Sequence, residues 1–377
     1  MPPCRFSNRP RRRALYRPTP RPNDAGNNIG QKACRSTAGP LNHSEEHMKT
    51  STLIRGAAAA ALLAVSSVTA QAEDVIRAVT FVPAQVSFAK NFQKFVDMVN
   101  ERGEGVVSIQ VIGGPEVIPN ERMGDAQKNG IADMFLLPAG LYLNLVPEGE
   151  AFAGSNRNPM EVRADGGLEL INEAFHEKGN THVLSHVDGG AGFHLWTTKE
   201  PTINENGEVD LTGLRLRTSP LYRAFFEELG ATIVVQAAGE VYTSLERGVV
   251  DGTGYPISGI RDFGWDKFLK YRIDPGFFQT DVLISMNLDA WNGLSDEAKE
   301  ILNQAAIDHE IASYEAETQL IADETAALTE GGLEIVELEG EQRDLFLTKA
   351  YDINWARLKE RDPTYHDQLK EIFFEDF

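Results

Sequence analysis

Asp210-Leu-Thr-Gly-Leu-Arg-Leu-Arg217 and, one helical run later, Glu240-Val-Tyr-Thr-Ser-Leu-Glu-Arg-Gly-Val-Val-Asp-Gly252 are the stretches whose reading decides the fold. Leu214 to Arg217 alternates apolar and basic residues, the period of a strand. Pro220 to Leu229 has helical spacing and is stopped by Gly230; Thr232 to Gln236 returns to strand. Glu240 to Arg247 is a second helix stopped by Gly248, and Val249 to Tyr255 a further strand ending at Pro256. Strands alternating with short helices predict an α/β fold, with a mainly parallel sheet covered by helices.

The same construction stands earlier in the chain. Gly130 is followed by Asp133 and Pro138, as Gly248 is followed by Asp251 and Pro256, at identical offsets. Each glycine closes a short helix, where the left-handed cap costs glycine little. Two such units predict two similar α/β lobes. Around the first unit the patterns predict a strand over 75–82, a helix over 87–101, a strand over 106–112 and a helix over 119–128. Between the units they predict a helix over 163–178 and strands over 181–187 and 192–198. Beyond the second unit, 278–288 reads as a strand. Ser295 then caps a helix expected to run to Gly331-Gly332. Some 35 residues at about 1.5 Å each give about 50 Å, long enough to span two lobes. A break near Ser313 is the alternative. A strand over 333–338 and helices interrupted at Asp362-Pro363 finish the chain.

Residues 48–72 combine Lys49 and Arg55, an apolar Ala-rich run and Ala70-Gln71-Ala72, the pattern of a cleaved secretory signal peptide. The expected mature chain starts at Glu73 and lies outside the cytoplasm, in the periplasm. The Arg- and Pro-rich residues 1–47 are expected to be a misassigned start, with translation beginning at Met48. Both cysteines, Cys4 and Cys34, precede Glu73, so no disulfide or thiol chemistry is expected. From Glu73 onward, 25 basic residues face 53 acidic ones, a formal charge of −28. That field disfavours nucleic acid as a partner, and an anionic ligand needs a dedicated local cation.

No nucleophile elbow or phosphate-binding loop occurs. His182 and His186, on one strand, are roughly 13 Å apart, too far to share a metal; a surface role is expected for both. Arg217 is the candidate anion receptor, because a guanidinium fork matches a carboxylate in two parallel hydrogen bonds. The competing reading makes Arg215 and Arg217 surface partners of the many acids.

The succession D-L-T-G-L-R-L-R (210–217), L-G-A (229–231), E-V-Y-T-S-L-E-R-G-V-V-D-G (240–252) and Y-P (255–256) resembles the solute-binding proteins of tripartite ATP-independent periplasmic (TRAP) transporters, the DctP type. The resemblance covers 73–377. It implies a two-lobed periplasmic-binding-protein-like fold, with mixed sheets, flanking helices, crossing strands and a long helix spanning both lobes. The lobes would comprise 73–192 with about 281–312, and 193–280 with about 313–377. It implies a monomer that captures an organic acid in the interlobe cleft and delivers it to a small and a large membrane permease subunit. The carboxylate-binding arginine falls on Arg217 and the pocket residue before the proline on Tyr255.

The sequence departs from the family twice. Phe193 stands where some members carry a second arginine, and Gly254 where some carry an acid that ligates a metal. No cofactor and no metal are therefore expected. Phe193, Trp196 and Phe263, with Tyr255, are expected to line an aromatic-walled site. The alternatives are a binding protein serving a sensor, or an enzyme with Arg217 as clamp and His194 or Asp251 as acid/base.

Overall fold

The computed structural model describes residues 73–377; the expected misassigned start (1–47) and signal peptide (48–72) lie outside the described residues. In chain order the elements begin with β1 (Asp74–Thr80), α1 (Ser87–Arg102), β2 (Val107–Gly113), α2 (Asn120–Lys128) and β3 (Met134–Pro138). Next come α3 (Glu150–Ala153), α4 (Pro159–Ala164), α5 (Gly167–Gly179), β4 (Thr181–Val187) and β5 (Gly192–Thr197). The short pair β6 (Thr202–Ile203) and β7 (Val209–Asp210) precedes β8 (Arg215–Thr218), α6 (Arg223–Glu228), β9 (Thr232–Val235), α7 (Val241–Glu246) and β10 (Gly252–Pro256). Last are β11 (Tyr271–Gln279), β12 (Val282–Asn287), α8 (Leu288–Gly293), α9 (Asp296–Glu330), β13 (Glu334–Glu337), α10 (Gly340–Arg361) and α11 (His366–Phe373).

Two sheets share one plan. The first has the order β2-β1-β3-β12-β4, the second β9-β8-β10-β5-β11-β13. In each, three parallel strands are followed by an antiparallel one: β12 beside β3, β5 beside β10. The chain thus crosses between lobes at β4 to β5 and again at β11 to β12.

The twin units close in the same way. Gly130 and Gly248 both take a positive φ, +65° and +62°. The Asp133 N–H donates to the Arg77 carbonyl, while Asp133 Oδ2 accepts from the Arg77 backbone N–H and Nε. Asp251 makes the same three bonds with Arg215. Each aspartate therefore pins its strand to the neighbouring one at a fixed register, and Val79 of the first lobe occupies the place that Arg217 occupies in the second.

Helix α9 runs unbroken from Asp296 to Glu330, with the Ser295 side chain accepting from the Ala298 N–H. Its first half packs on α1 and β4. Its second half meets the other lobe through Glu324 with Arg261 and Thr325 with Arg272. It continues through Ser313, whose hydroxyl accepts from the Asp188 N–H in the crossing segment.

Four expectations are corrected. The helix expected over 163–178 is two helices, α4 and α5, divided at Gly166 with φ +83°. Strand β11 begins at Tyr271, seven residues before the expected strand; Arg272 and Asp274 pair at 2.6 Å, which hides a buried strand behind polar letters. His186 is buried and bonded to the Thr280 carbonyl. The C-terminal helices do not belong wholly to the second lobe. Helix α11 packs on α5 and α3, and α10 touches both α3 and α6. Trp355 Nε1 donates to the Gly154 carbonyl, and Arg357 and Arg361 both reach the buried Glu150.

Candidate ligand-binding cleft

A cleft of about 690 Å³ opens between the lobes. Its floor follows from the twin plan. Pro138, at the end of β3, lies opposite Val282 of β12, and Pro256, at the end of β10, opposite Phe193 of β5; all four line the cleft. Strand ends of an α/β sheet are where ligands meet such folds. Phe81 and Phe88 add an aromatic wall from the first lobe.

Arg217 reaches the cleft from β8 and is only 6% exposed. Its Nε donates to the Gln236 carbonyl at 2.9 Å, and its Nη1 to the Tyr222 hydroxyl at 2.8 Å. The Tyr222 hydroxyl in turn donates to the Gly254 carbonyl at 2.6 Å. The guanidinium carbon lies 5.9 Å from the centre of the Tyr255 ring. Two of five N–H donors are thus engaged. No carboxylate pairs with Arg217 among the described residues. The surface-pair reading holds instead for Arg215, which binds Asp251 at 3.0 Å with its side chain 46% exposed.

Tyr255 and Phe193 line the cleft beside Arg217. Burial pushes the Tyr255 hydroxyl above its ordinary pKa, opposed by the nearby Arg217 charge. Trp196 and Phe263, expected in the same wall, stand behind it. Trp196 is fully buried and donates from Nε1 to the Tyr255 carbonyl at 2.8 Å. Phe263 stacks on Trp265 at 4.9 Å and meets Tyr255 edge-on at 6.0 Å. Both support Tyr255 and neither lines the cleft.

Gly254 has a packing reason. A Cβ there would lie 2.7 Å from Tyr222 and 2.8 Å from Phe226, so no side chain fits. Among the described residues no group of three or more His, Cys, Asp or Glu is placed to hold a metal. The residues considered for acid/base work point elsewhere: His194 pairs with Asp274 at 2.8 Å, and Asp251 is held by Arg215 and Lys199.

Sequence reasoning missed several lining residues. Phe81, Phe88, Asp281, Arg357 and Arg361 come from segments far from the 210–256 stretch. Asp281 is buried, and its Oδ2 accepts from the Gly140 N–H at 2.5 Å. Burial pushes its carboxyl up to about 6. Arg357 and Arg361 both pair with the same oxygen of Glu150, at 2.7 and 3.2 Å.

The family model described as bacterial extracellular solute-binding protein, family 7 (DctP), matches residues 78–357. The monocarboxylate 2-oxoacid-binding periplasmic protein of Nostoc sp. PCC 7120 is 26% identical over 255 residues, covering 63% of this chain and 66% of that protein. The ectoine-binding periplasmic protein TeaA of Halomonas elongata is 25% identical over 301 residues, covering 76% and 80%. A crystal structure of a TRAP periplasmic solute-binding protein from Chromohalobacter salexigens, with bound D-glucuronate, matches with a TM-score of 0.69 at 21% identity, over 79% of this chain and 98% of that one. The last likeness establishes a shared fold.

Proposed function

This chain belongs to the DctP family, the bacterial extracellular solute-binding proteins of family 7, and from that premise we propose that it is the solute-capturing subunit of a TRAP transporter. It takes an organic acid into the interlobe cleft and hands it to two integral membrane proteins, one small and one large. It is a binding protein rather than an enzyme, and it is exported by a signal peptide over 48–72 that is removed before Glu73. Among the described residues no helix is long and apolar enough to cross a membrane.

One observation carries the ligand class. Arg217 is a buried guanidinium that lines the cleft without an acidic partner, in a protein crowded with acids. A buried unpaired charge is costly unless a counter-charge arrives. A ligand carboxylate supplies it, taking two of the three N–H groups left free. Tyr222 and Gln236 fix the fork in advance, so little ordering is needed on binding. Phe193 and Tyr255 hold the ligand body from the second lobe, Phe81 and Phe88 from the first. Contacts from both lobes favour the closed state, since only differential affinity shifts that equilibrium. The relatives that bind 2-oxoacids, ectoine and D-glucuronate all take small solutes bearing a carboxylate, in keeping with this reading.

A thermal-shift screen of organic acids tests it, because a ligand stabilises the form it binds. At least one acid should raise the melting temperature of the wild type and fail to do so in Arg217→Ala. Equal stabilisation of both proteins would overturn the assignment. Transport is tested by uptake in cells carrying the two membrane subunits, with and without this protein. Sequencing of the exported chain should start at Glu73.

A further inference from the structure

We infer that Asp281 is a second ligand anchor, and that the solute is a monocarboxylate carrying a hydrogen-bond donor, a hydroxyl or an ammonium group. The inference rests on the reading that Arg217 takes a carboxylate, and adds what the other end of the solute must be.

The charges that line the cleft decide it. Four arginines line it, and three already hold a carboxylate: Arg223 that of Glu227 at 2.8 Å, Arg357 and Arg361 one oxygen of Glu150 between them. Of the four, Arg217 alone is buried and has no carboxylate partner among the described residues. The lining acids are Glu121, Glu227, Glu240 and Asp281, and the first three are exposed to water. Asp281 is 2% exposed and has no cationic partner. The cleft thus presents one buried, unmatched group of each sign. They do not neutralise each other: Arg217 is held by Gln236 and Tyr222, Asp281 by the Gly140 N–H.

Their places in the fold matter as much as their signs. Arg217 belongs to β8 of the second lobe, whereas Asp281 stands at the crossing, just before β12 enters the first. A solute with a carboxylate at one end and a donor at the other would satisfy both and tie the lobes together. A plain acid leaves the Asp281 carboxylate with no charged partner and the Gly140 N–H as its donor, and a dianion brings a second negative charge to Asp281. Unsatisfied buried groups are what make a polar site reject the analogue that lacks the group.

The test uses matched acids: 3-phenylpropionate, 3-phenyllactate and phenylalanine; butyrate, 2- and 4-hydroxybutyrate, and 2- and 4-aminobutyrate; and succinate. Affinities are measured by calorimetry on the wild type, Asp281→Asn and Asp281→Ala. At least one donor-bearing member should bind ten or more times tighter than its plain parent, and succinate should bind worse than butyrate. The tenfold preference should disappear in Asp281→Ala. In Asp281→Asn, which retains an acceptor for the Gly140 N–H, the preference for ammonium should disappear. Equal binding of plain and donor-bearing acids to the wild type would overturn the inference, as would a preference that survives both substitutions. If no acid of either kind binds, the carboxylate reading itself falls, an outcome distinct from plain and donor-bearing acids binding alike.

Discussion

Asp262 of the second lobe caps helix α1 of the first. Its Oδ2 accepts from the Ser87 backbone N–H at 2.8 Å and from the Ser87 hydroxyl at 2.6 Å. The residue before the helix is Val86, which has no capping side chain. A helix N-terminus carries unsatisfied N–H groups and a partial positive charge, so this carboxylate is well placed. The two partners are next in sequence to residues of the site: Phe88, which lines the cleft, follows Ser87, and Phe263, which supports Tyr255, follows Asp262.

Separating the lobes breaks this cap, so removing it should favour the open form. A lost cap costs about 0.5–2 kcal/mol, roughly a twofold to thirtyfold change in the closed-to-open ratio. Spin labels on the two lobes should report longer distances in Asp262→Ala, with a similar change in Ser87→Pro and a smaller one in Ser87→Ala, which keeps the backbone bond. Identical distance distributions in wild type and Asp262→Ala would show that the bond is not holding the lobes.

Arg217→Ala should weaken binding of a stabilising acid at least tenfold, since truncating one partner of a buried charge pair costs about 2–5 kcal/mol. Arg217→Lys should also bind less well. It keeps the charge but loses the planar fork and its bonds to Gln236 and Tyr222. Calorimetry with the two variants separates charge from geometry; wild-type affinity in the lysine variant would mean that charge alone suffices.

Gly254→Ala should destabilise the protein by about 1–3 kcal/mol, because the new methyl meets the Tyr222 and Phe226 rings inside contact distance. Displacing Tyr222 also disturbs the hydroxyl that holds Arg217, so affinity should fall along with the melting temperature. An unchanged melting temperature would show that the two rings can retreat.

Stability should depend on pH in two opposed ways. Burial pushes Glu317 on α9 up to about 7 from an ordinary 4.5, countered by the Ser258 hydroxyl bonded to it. The buried Asp188 nearby is raised as well, by its own burial and by Glu317. The folded state holds both protons more tightly; for Glu317 the stability is full below about 4.5 and declines as pH rises toward 7. Asp251 is the reverse: burial pushes it up, but its bonds to Arg215 and Lys199 together outweigh that and lower it to about 2, so its contribution is lost as pH falls from 3.8 toward 2. Glu317→Gln should flatten the decline of melting temperature between pH 5 and 8. A slope equal to that of the wild type would remove Glu317 from the account.

Much of the lobe plan was legible because each αβ unit announces itself locally. A glycine closes the helix, an aspartate follows three residues later, and a proline ends the strand. What escaped was hidden by burial on both faces. Within β5, Phe193, Leu195, Trp196 and Thr197 are all buried, so alternation does not separate the cleft side from the core side. Phe193 therefore lines the cleft while Trp196, three residues on, packs behind Tyr255. Asp281 and Arg357 escaped for another reason: each reaches the cleft from a segment that only the crossing strands and α10 bring there.

The sequence by itself determined the chemistry of the Arg215-Leu216-Arg217 segment: two permanent cations at strand spacing, ahead of a glycine-capped αβ unit. It did not determine which cation was free. Arg215 is neutralised by Asp251, which follows it by 36 residues, because β8 and β10 are neighbours in the sheet. Arg217, two residues further along β8, has passed beyond reach of that carboxylate and faces the cleft between the lobes. Chain order supplies the charges; only the long-range pairing of strands decides which of them is already spent inside the protein and which is left for a ligand.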